Sequence, residues 1–252
     1  MRAMAKKITL AAAAVSVALL SGCAQVPKSA GEDPQDPFEA LNRQTFAFNQ
    51  AVDSAVVKPV AEGYKYITPE PVRNSVTRFY QNLGEPSNAV NNVLQGKVED
   101  GILSVFRLLI NTTVGIGGLF DVAGEVGIPH KREDFGQTLG VWGVESGPYI
   151  VLPLLGPSTA RDATGLAADY FTYPATYVDN DGIRWSTWGV GLINTRARLL
   201  PVTDMLDLQV DPYVATRNAF LQTRKNEIAD GKAEPQSEDP SKMLDPFADD
   251  EE

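Results

Sequence analysis

The stretch that most restricts what this chain can build runs from Asp134 to Thr159 and reads DFGQTLGVWGVESGPYIVLPLLGPST. Four glycines (Gly136, Gly140, Gly143, Gly147) precede an apolar run, Tyr149 to Leu155, and prolines stand at Pro148, Pro153 and Pro157. Glycine gives the backbone freedom at little steric cost, whereas proline fixes φ and removes an amide donor. The run is therefore expected to form neither a regular helix nor a central strand. Two readings stay open on these residues alone: an apolar flap that moves beside lipid, or a surface loop tucked onto a core.

The 252 residues suffice for one domain, or at most two, with a real core. With 43% apolar and 21% charged residues, wholesale disorder is excluded. The net charge is −10, and it becomes −13 without residues 1–22, which hold Arg2, Lys6 and Lys7 and no acid. Such a surface repels phosphate backbones, so no nucleic-acid partner is expected. One His and one Cys leave little material for a metal site, thiol chemistry or a disulfide. The HExxH, GxSxG, CxxC, SxxK and GxxxxGK[ST] patterns are absent, so no catalytic residue, metal or cofactor is expected. Carboxylates are plentiful, and spacing alone leaves a two-carboxylate hydrolase open.

The N-terminus is a targeting segment. A basic start is followed by 13 apolar residues, Ile8 to Leu20, too few for a permanent membrane span. Then comes Leu20-Ser21-Gly22-Cys23, which resembles a lipobox; that resemblance implies cleavage before Cys23 and acylation of it as a lipid anchor. Ala24 resembles an outer-membrane sorting signal. Residues 23–35 read as a lipidated tether and 231–252 as a disordered acidic tail.

Between them, residues 36–230 read as a single all-α domain of about seven helices with no convincing sheet. Asp36-Pro37 opens the first, with Leu41, Thr45, Phe48, Val52 and Val56 on one apolar face that ends before Pro59. Thr68-Pro69-Glu70 opens a second, with Val72, Val76, Phe79, Tyr80 and Leu83 facing in and Gly84 stopping it; a third runs from Pro86 to Gln95. The fourth, Lys97 to Asn111, carries Ile102, Val105, Phe106 and Leu109, and suits either burial on most sides or contact with lipid. Val114 to Phe120 is glycine-rich but lacks the dinucleotide fingerprint, and reads as close helix packing or a turn near a bilayer. His130 reads as solvated. Ser158 or Thr159 caps a helix reaching Phe171, an aromatic cluster spans Tyr170 to Tyr177, and further helices cover Ile183 to Leu200 and Asp211-Pro212 to Asp230-Gly231.

Ordered motifs then carry a family likeness. Asp36-Pro-x-Glu-x-x-Asn42-Arg43, Asn82-Leu-x-Glu-Pro86, Asn91-Asn-x-Leu-Gln-Gly96, Asn111-Thr-x-x-Gly-x-Gly-Gly118, Phe120-Asp121-Val-Ala123, Asp134-Phe-Gly-x-Thr-Leu-Gly140, and the run from Gly147-Pro-Tyr149 through Arg161-Asp162 resemble the VacJ/MlaA family over about residues 36–230. The resemblance implies an outer-membrane lipoprotein, anchored on the periplasmic side, whose helical ring sits in one leaflet. It implies an amphipathic channel that takes mislocalised phospholipid toward a soluble periplasmic carrier, with trimeric porins as partners. The family's flexible hairpin maps onto the glycine-rich stretch: Gly140, Gly143 and Gly147 as hinges, with Tyr149, Ile150, Val151, Leu152, Leu154 and Leu155 as the gate. Asn42, Phe46, Phe48, Phe106 and Leu109 are candidate channel or membrane contacts. Glu145 departs from the pattern by placing a charge inside the hinge. A structural envelope scaffold that transports nothing is the alternative.

Overall fold

A computed structural model describes residues 30–232. The signal segment, Cys23, the tether as far as residue 29 and the tail beyond Lys232 lie outside the described residues.

The chain is mostly helical. Helix α1 (Glu39–Val52) passes through one π turn, Asp53–Val57, into α2 (Lys58–Ile67). Pro59 does not end the first helix as expected, because the backbone runs on through the π turn, with Val57 and Lys58 helical and the Lys58 amide bonded to the Asp53 carbonyl. Asp36 is not the cap either: α1 starts at Glu39, and the Asp36 carboxylate is buried, accepting from Asn42 Nδ2 at 2.8 Å, Arg217 Nη1 at 3.1 Å and the Tyr213 hydroxyl. Two residues assigned to the tether are docked as well, since Asp33 pairs with Arg217 at 3.0 Å and the Gln35 carbonyl accepts from Tyr149 N at 2.8 Å.

Helix α3 (Glu70–Leu94) replaces the two short helices expected there. Gly84 stays in the helical conformation; the stop is Gly96, with φ of 80°. Pro86 costs α3 a backbone bond, yet the helix continues because the stretch around it is held on several sides: Asn82 and Glu85 bond to α4 (Val98–Thr113), Asn88 to the Glu133 amide, Asn91 to Thr138, and Ser87 and Asn91 to Asp169. After α4 come a glycine-rich turn, the short α5 (Val122–Glu125) and α6 (Phe135–Val141). Gly115 and Gly118 permit that turn: a Cβ on Gly115 would lie 2.3 Å from the Phe120 carbonyl, and one on Gly118 would lie 2.5 Å from Asn82 Cβ.

The absence of a sheet does not hold. Tyr149–Leu152 (β1) and Gly156–Thr159 (β2) form an antiparallel hairpin with Tyr149 opposite Thr159 and Leu152 opposite Gly156. Pro148 and Pro153 flank β1 rather than interrupt it, and Pro157 sits in β2 of a two-stranded sheet, where one edge needs no donors. Helix α7 (Ala160–Asp169) starts where expected, with the Thr159 hydroxyl accepting from Asp162 N. A 3₁₀ turn (Pro174–Tyr177) leads to α8 (Asp181–Asp207), longer than expected at both ends, and α9 (Pro212–Ile228) begins at Asp211, which caps the Tyr213 and Val214 amides.

What distinguishes the body is which side chains face inward. Among the described residues eight apolar side chains are buried, against twenty-one polar or charged ones. Helix α4, for which burial on most sides and contact with lipid were both open, is not buried on most sides. Its inward stripe is Gly101, Ser104, Arg107 and Asn111, while Ile102, Val105, Phe106 and Leu109 are each about half exposed or more. On α3, Val72 faces outward where an inward position was expected, and Leu41 on α1 and Val56 in the π turn do the same. The faces follow helical periodicity with their polarity inverted.

Candidate functional site

The hairpin is held by helix α1 through two asparagines one heptad apart. Asn42 and Asn49 lie on the same face of α1. Asn42 Nδ2 donates to the Tyr149 carbonyl at 3.0 Å, and its Oδ1 accepts from Val151 N at 2.9 Å. Asn49 repeats the pattern one turn of hairpin later, donating to the Leu152 carbonyl at 2.9 Å and accepting from Leu154 N at 2.7 Å. A primary amide presents a donor and an acceptor side by side, so each Asn replaces the neighbouring strand that the β1 edge lacks. Below the hairpin, Tyr149 and Val151 pack on Tyr213, with Phe46, Val214, Phe220 and Leu221 around them. Tyr149 meets Tyr213 and Phe220 with ring centroids 6.2 Å apart, and burial pushes the Tyr149 phenol well above its ordinary value.

The gate residues therefore divide into two sets. Tyr149 and Val151 belong to the small apolar core, and Ile150 and Leu152 are half-buried. Leu154 and Leu155 at the turn are two-thirds exposed. The expected hinges also differ among themselves. Gly143 (φ 87°) and Gly147 (φ 63°) hold the left-handed conformation that favours glycine, on either side of exposed Val144 and Glu145. A Cβ on Gly140 would crowd Ile228 and Arg161, at 2.9 and 3.1 Å. Of the other candidates, Asn42 is buried in the bracing role just described, Phe46 packs edge-on against Tyr213 at 5.6 Å and Phe48 is half-buried; Phe106 and Leu109 face outward.

Charged clusters clamp the helices beneath. Glu85 on α3 and Arg107 on α4 are almost fully buried and pair at 2.8 Å. Arg107 Nη2 reaches Asp121 at 2.7 Å, and Asn111 donates to the same oxygen at 2.9 Å. His130 is not simply solvated, because its Nδ1 lies 2.9 Å from Glu85 Oε1. Burial pushes the Glu85 carboxyl up, but its bonds to His130, Arg107 and Asn88 outweigh this and hold it below the ordinary glutamate range. A second cluster centres on Arg224 of α9, which bridges Asp134 at 2.8 Å and Asp162 at 3.0 Å. Burial works against the Arg224 charge, yet those two carboxylates raise its affinity for the proton. Glu85, Asn111, Asp121, Asp134 and Asp162 fall within the motifs of the family likeness, but Arg107 and Arg224, which join them, were passed over because a search for apolar faces ignores Arg at helical spacing.

Two cavities flank the first half of α3. One, of about 310 Å³, is lined by Glu70, Pro71, Asn74, Ser75, Arg78 and Phe120. The other, of about 340 Å³, is mainly apolar and lies between α3 and α8, lined by Val76, Phe79, Tyr80, Leu119, Thr187 and Val190 among others. Exposed apolar residues of the glycine-rich turn, Val114, Ile116 and Phe120, lead toward this region, and Tyr170, Phe171, Tyr177, Trp185 and Trp188 expose aromatic rings near the start of α8.

Fold and site together define a class: a helical body with a polar, ion-paired interior and an apolar exterior, the polarity expected where the surroundings are lipid rather than water. No described helix is long and apolar enough to cross a membrane. The match to a family model specifies the class, for the MlaA lipoprotein model matches residues 34–227, and the chain belongs to that family. It is 39% identical over 239 residues to the Escherichia coli intermembrane phospholipid transport system lipoprotein MlaA, covering 89% of this chain and 90% of that protein. The Haemophilus influenzae protein of the same name is 32% identical over 235 residues, with 90% and 93% covered. A Rickettsia felis protein without assigned function is 43% identical over 195 residues, 77% of this chain and 78% of that one. A solved structure described as the structural basis for maintenance of bacterial outer membrane lipid asymmetry superposes with a TM-score of 0.68 at 37% identity, covering 77% of this chain and 98% of that one.

Proposed function

We infer that this chain is a phospholipid-transport lipoprotein of the outer membrane. It takes mislocalised phospholipid from the outer leaflet and hands it through an amphipathic passage to a soluble periplasmic carrier, beside trimeric porins. The observation that carries the reading is the inversion of polarity. Helix α4 buries Arg107 and Asn111 while it exposes Ile102, Phe106 and Leu109, an arrangement that favours lipid contact over solution. A body of this kind lies in one leaflet, and acylated Cys23 adds anchoring of about 0.8 kcal/mol per buried CH₂.

The braced hairpin supports gating by a restricted motion. With β1 and Leu154 tied to α1 by Asn42 and Asn49, the parts left to shift are the exposed Leu155 end of the turn and, on breaking its bonds to Arg161, the Gly143–Gly147 bend. Passage of lipid toward a carrier that binds it more tightly needs no nucleotide at this end.

The test is to purify the full-length acylated protein from membranes and analyse what accompanies it. Intact phospholipid at about one per protein is expected. Lysophospholipid appearing on incubation would instead favour the hydrolase, and protein free of bound lipid would favour the scaffold.

A further inference from the structure

The buried polar side chains of the body are mostly bonded to one another, whereas the cavity at the start of α3 gathers four polar side chains that are not. Glu70, Asn74, Ser75 and Arg78 line it, and none has a side-chain hydrogen bond or ion pair among the described residues. The contrast is sharp along one helix: Thr77, Asn82, Asn88, Asn91 and Asn92 of α3 are all engaged. In a chain of net charge −10, an arginine left unpaired beside an amide and a hydroxyl is a vacant anion-binding group.

We propose that this cavity binds a phospholipid headgroup, with Arg78, Asn74 and Ser75 on the phosphate and Glu70 on the ammonium of an ethanolamine. The proposal rests on the transport reading and specifies its ligand. Glu70, Asn74 and Arg78 recur at a spacing of four on one face, and helical side chains lean toward the N-terminus, so Arg78 reaches toward Asn74 and Glu70. Glu70 and Arg78 stand about 12 Å apart along the axis, a gap that the longer arginine side chain narrows. The glycine-rich turn serves both cavities, with Phe120 lining the polar one and Leu119 the apolar one. A headgroup at Arg78 thus has apolar surface close by for its acyl chains. Because the four polar side chains are engaged in no bond, the fold does not need them.

The experiment measures binding of labelled lipids to the full-length protein in detergent, using phosphatidylethanolamine, phosphatidylglycerol and diacylglycerol, with inorganic phosphate as competitor. Arg78→Ala is expected to weaken both phospholipids about tenfold and to leave diacylglycerol unchanged. Glu70→Gln is expected to weaken phosphatidylethanolamine severalfold and spare phosphatidylglycerol. Circular dichroism of both variants should match the wild type. Inorganic phosphate displacing the lipid at micromolar concentration would reassign the cavity to free phosphate and overturn the lipid assignment. Wild-type affinities for all three lipids in both variants would overturn the headgroup site while leaving transport intact. A wild-type protein that binds none of the three would refute the transport reading itself.

Discussion

Replacing Asn42 by Ala tests whether α1 holds the hairpin. The change removes the partners of two buried peptide groups, the Tyr149 carbonyl and the Val151 amide, which Asn42 meets at 3.0 and 2.9 Å. Orphaning a buried donor or acceptor costs about 1–3 kcal/mol, so the pair should cost about 2–6 kcal/mol. Asp36, the third partner, keeps Tyr213 and Arg217 and adds little. Against a total stability of roughly 5–15 kcal/mol this is a large loss. Asn49→Ala is the internal comparison. Its bond to Leu154 N is exposed, so water can replace part of what is lost and the cost should stay under about 1 kcal/mol. Denaturant unfolding in a fixed detergent gives the stabilities, and hydrogen exchange at Val151 reports the hairpin locally. If Asn42→Ala unfolds within about 0.5 kcal/mol of wild type and leaves Val151 protection unchanged, α1 does not brace the strand.

Glu85→Ala takes one of its two carboxylate partners from Arg107, which is 2% exposed and keeps Asp121, and should lower stability by about 1–3 kcal/mol in the same unfolding assay; a loss below about 0.5 kcal/mol would contradict the clamp. Gly165→Ala would set a Cβ 2.3 Å from Gly136 N and force α6 and α7 apart, whereas Gly84→Ala meets nothing within 4 Å. The first should cost about 1–3 kcal/mol and the second should be neutral or stabilising; melting temperatures that fall equally would refute the contact. Burial pushes the Asp134 carboxyl up, but Arg224 more than offsets this and holds it low, as Arg107 and His130 do for Glu85. Both contribute stability that is present above the ordinary carboxylate range and lost as pH falls through their depressed values. Asp169 is raised by burial and runs the other way, its contribution lost as pH rises through its elevated value. The two depressed carboxylates outnumber it, so the denaturation midpoint should fall on acidification below roughly pH 5, and less so in Asp134→Asn; a flat profile would count against these clusters.

Much of the fold was legible where local chemistry decides. Asp211-Pro212 and Thr159-Ala-Arg-Asp162 announce helix starts through side chains that cap backbone amides within three residues, and the apolar spacing of Ile102 to Leu109 marks α4 correctly as a helix. The direction each helix faces was legible only in part: the inward assignments on α1 and α3 assume water outside, whereas α4 was open to burial or to lipid. For α4 the apolar stripe is the outer one, and the packed stripe is Gly101, Ser104, Arg107 and Asn111. Pro86 marked a break that tertiary contacts override, and Pro148 and Pro153 hid a strand that fits between them. The bond from Asn42 to Tyr149 spans 107 residues, and no local pattern encodes it. Of the proposed gate, the apolar run and the glycines could be read directly; the division between a fixed strand and an exposed turn comes from Asn42 and Asn49.

The central claim is that the protein keeps phospholipid off the cell surface. The most direct measurement is outer-leaflet phosphatidylethanolamine, labelled with a membrane-impermeant amine reagent, in cells with and without the gene. A rise on deletion that wild-type protein reverses is the predicted result, with Cys23→Ala restoring it only in part. Equal labelling in both strains would contradict the account.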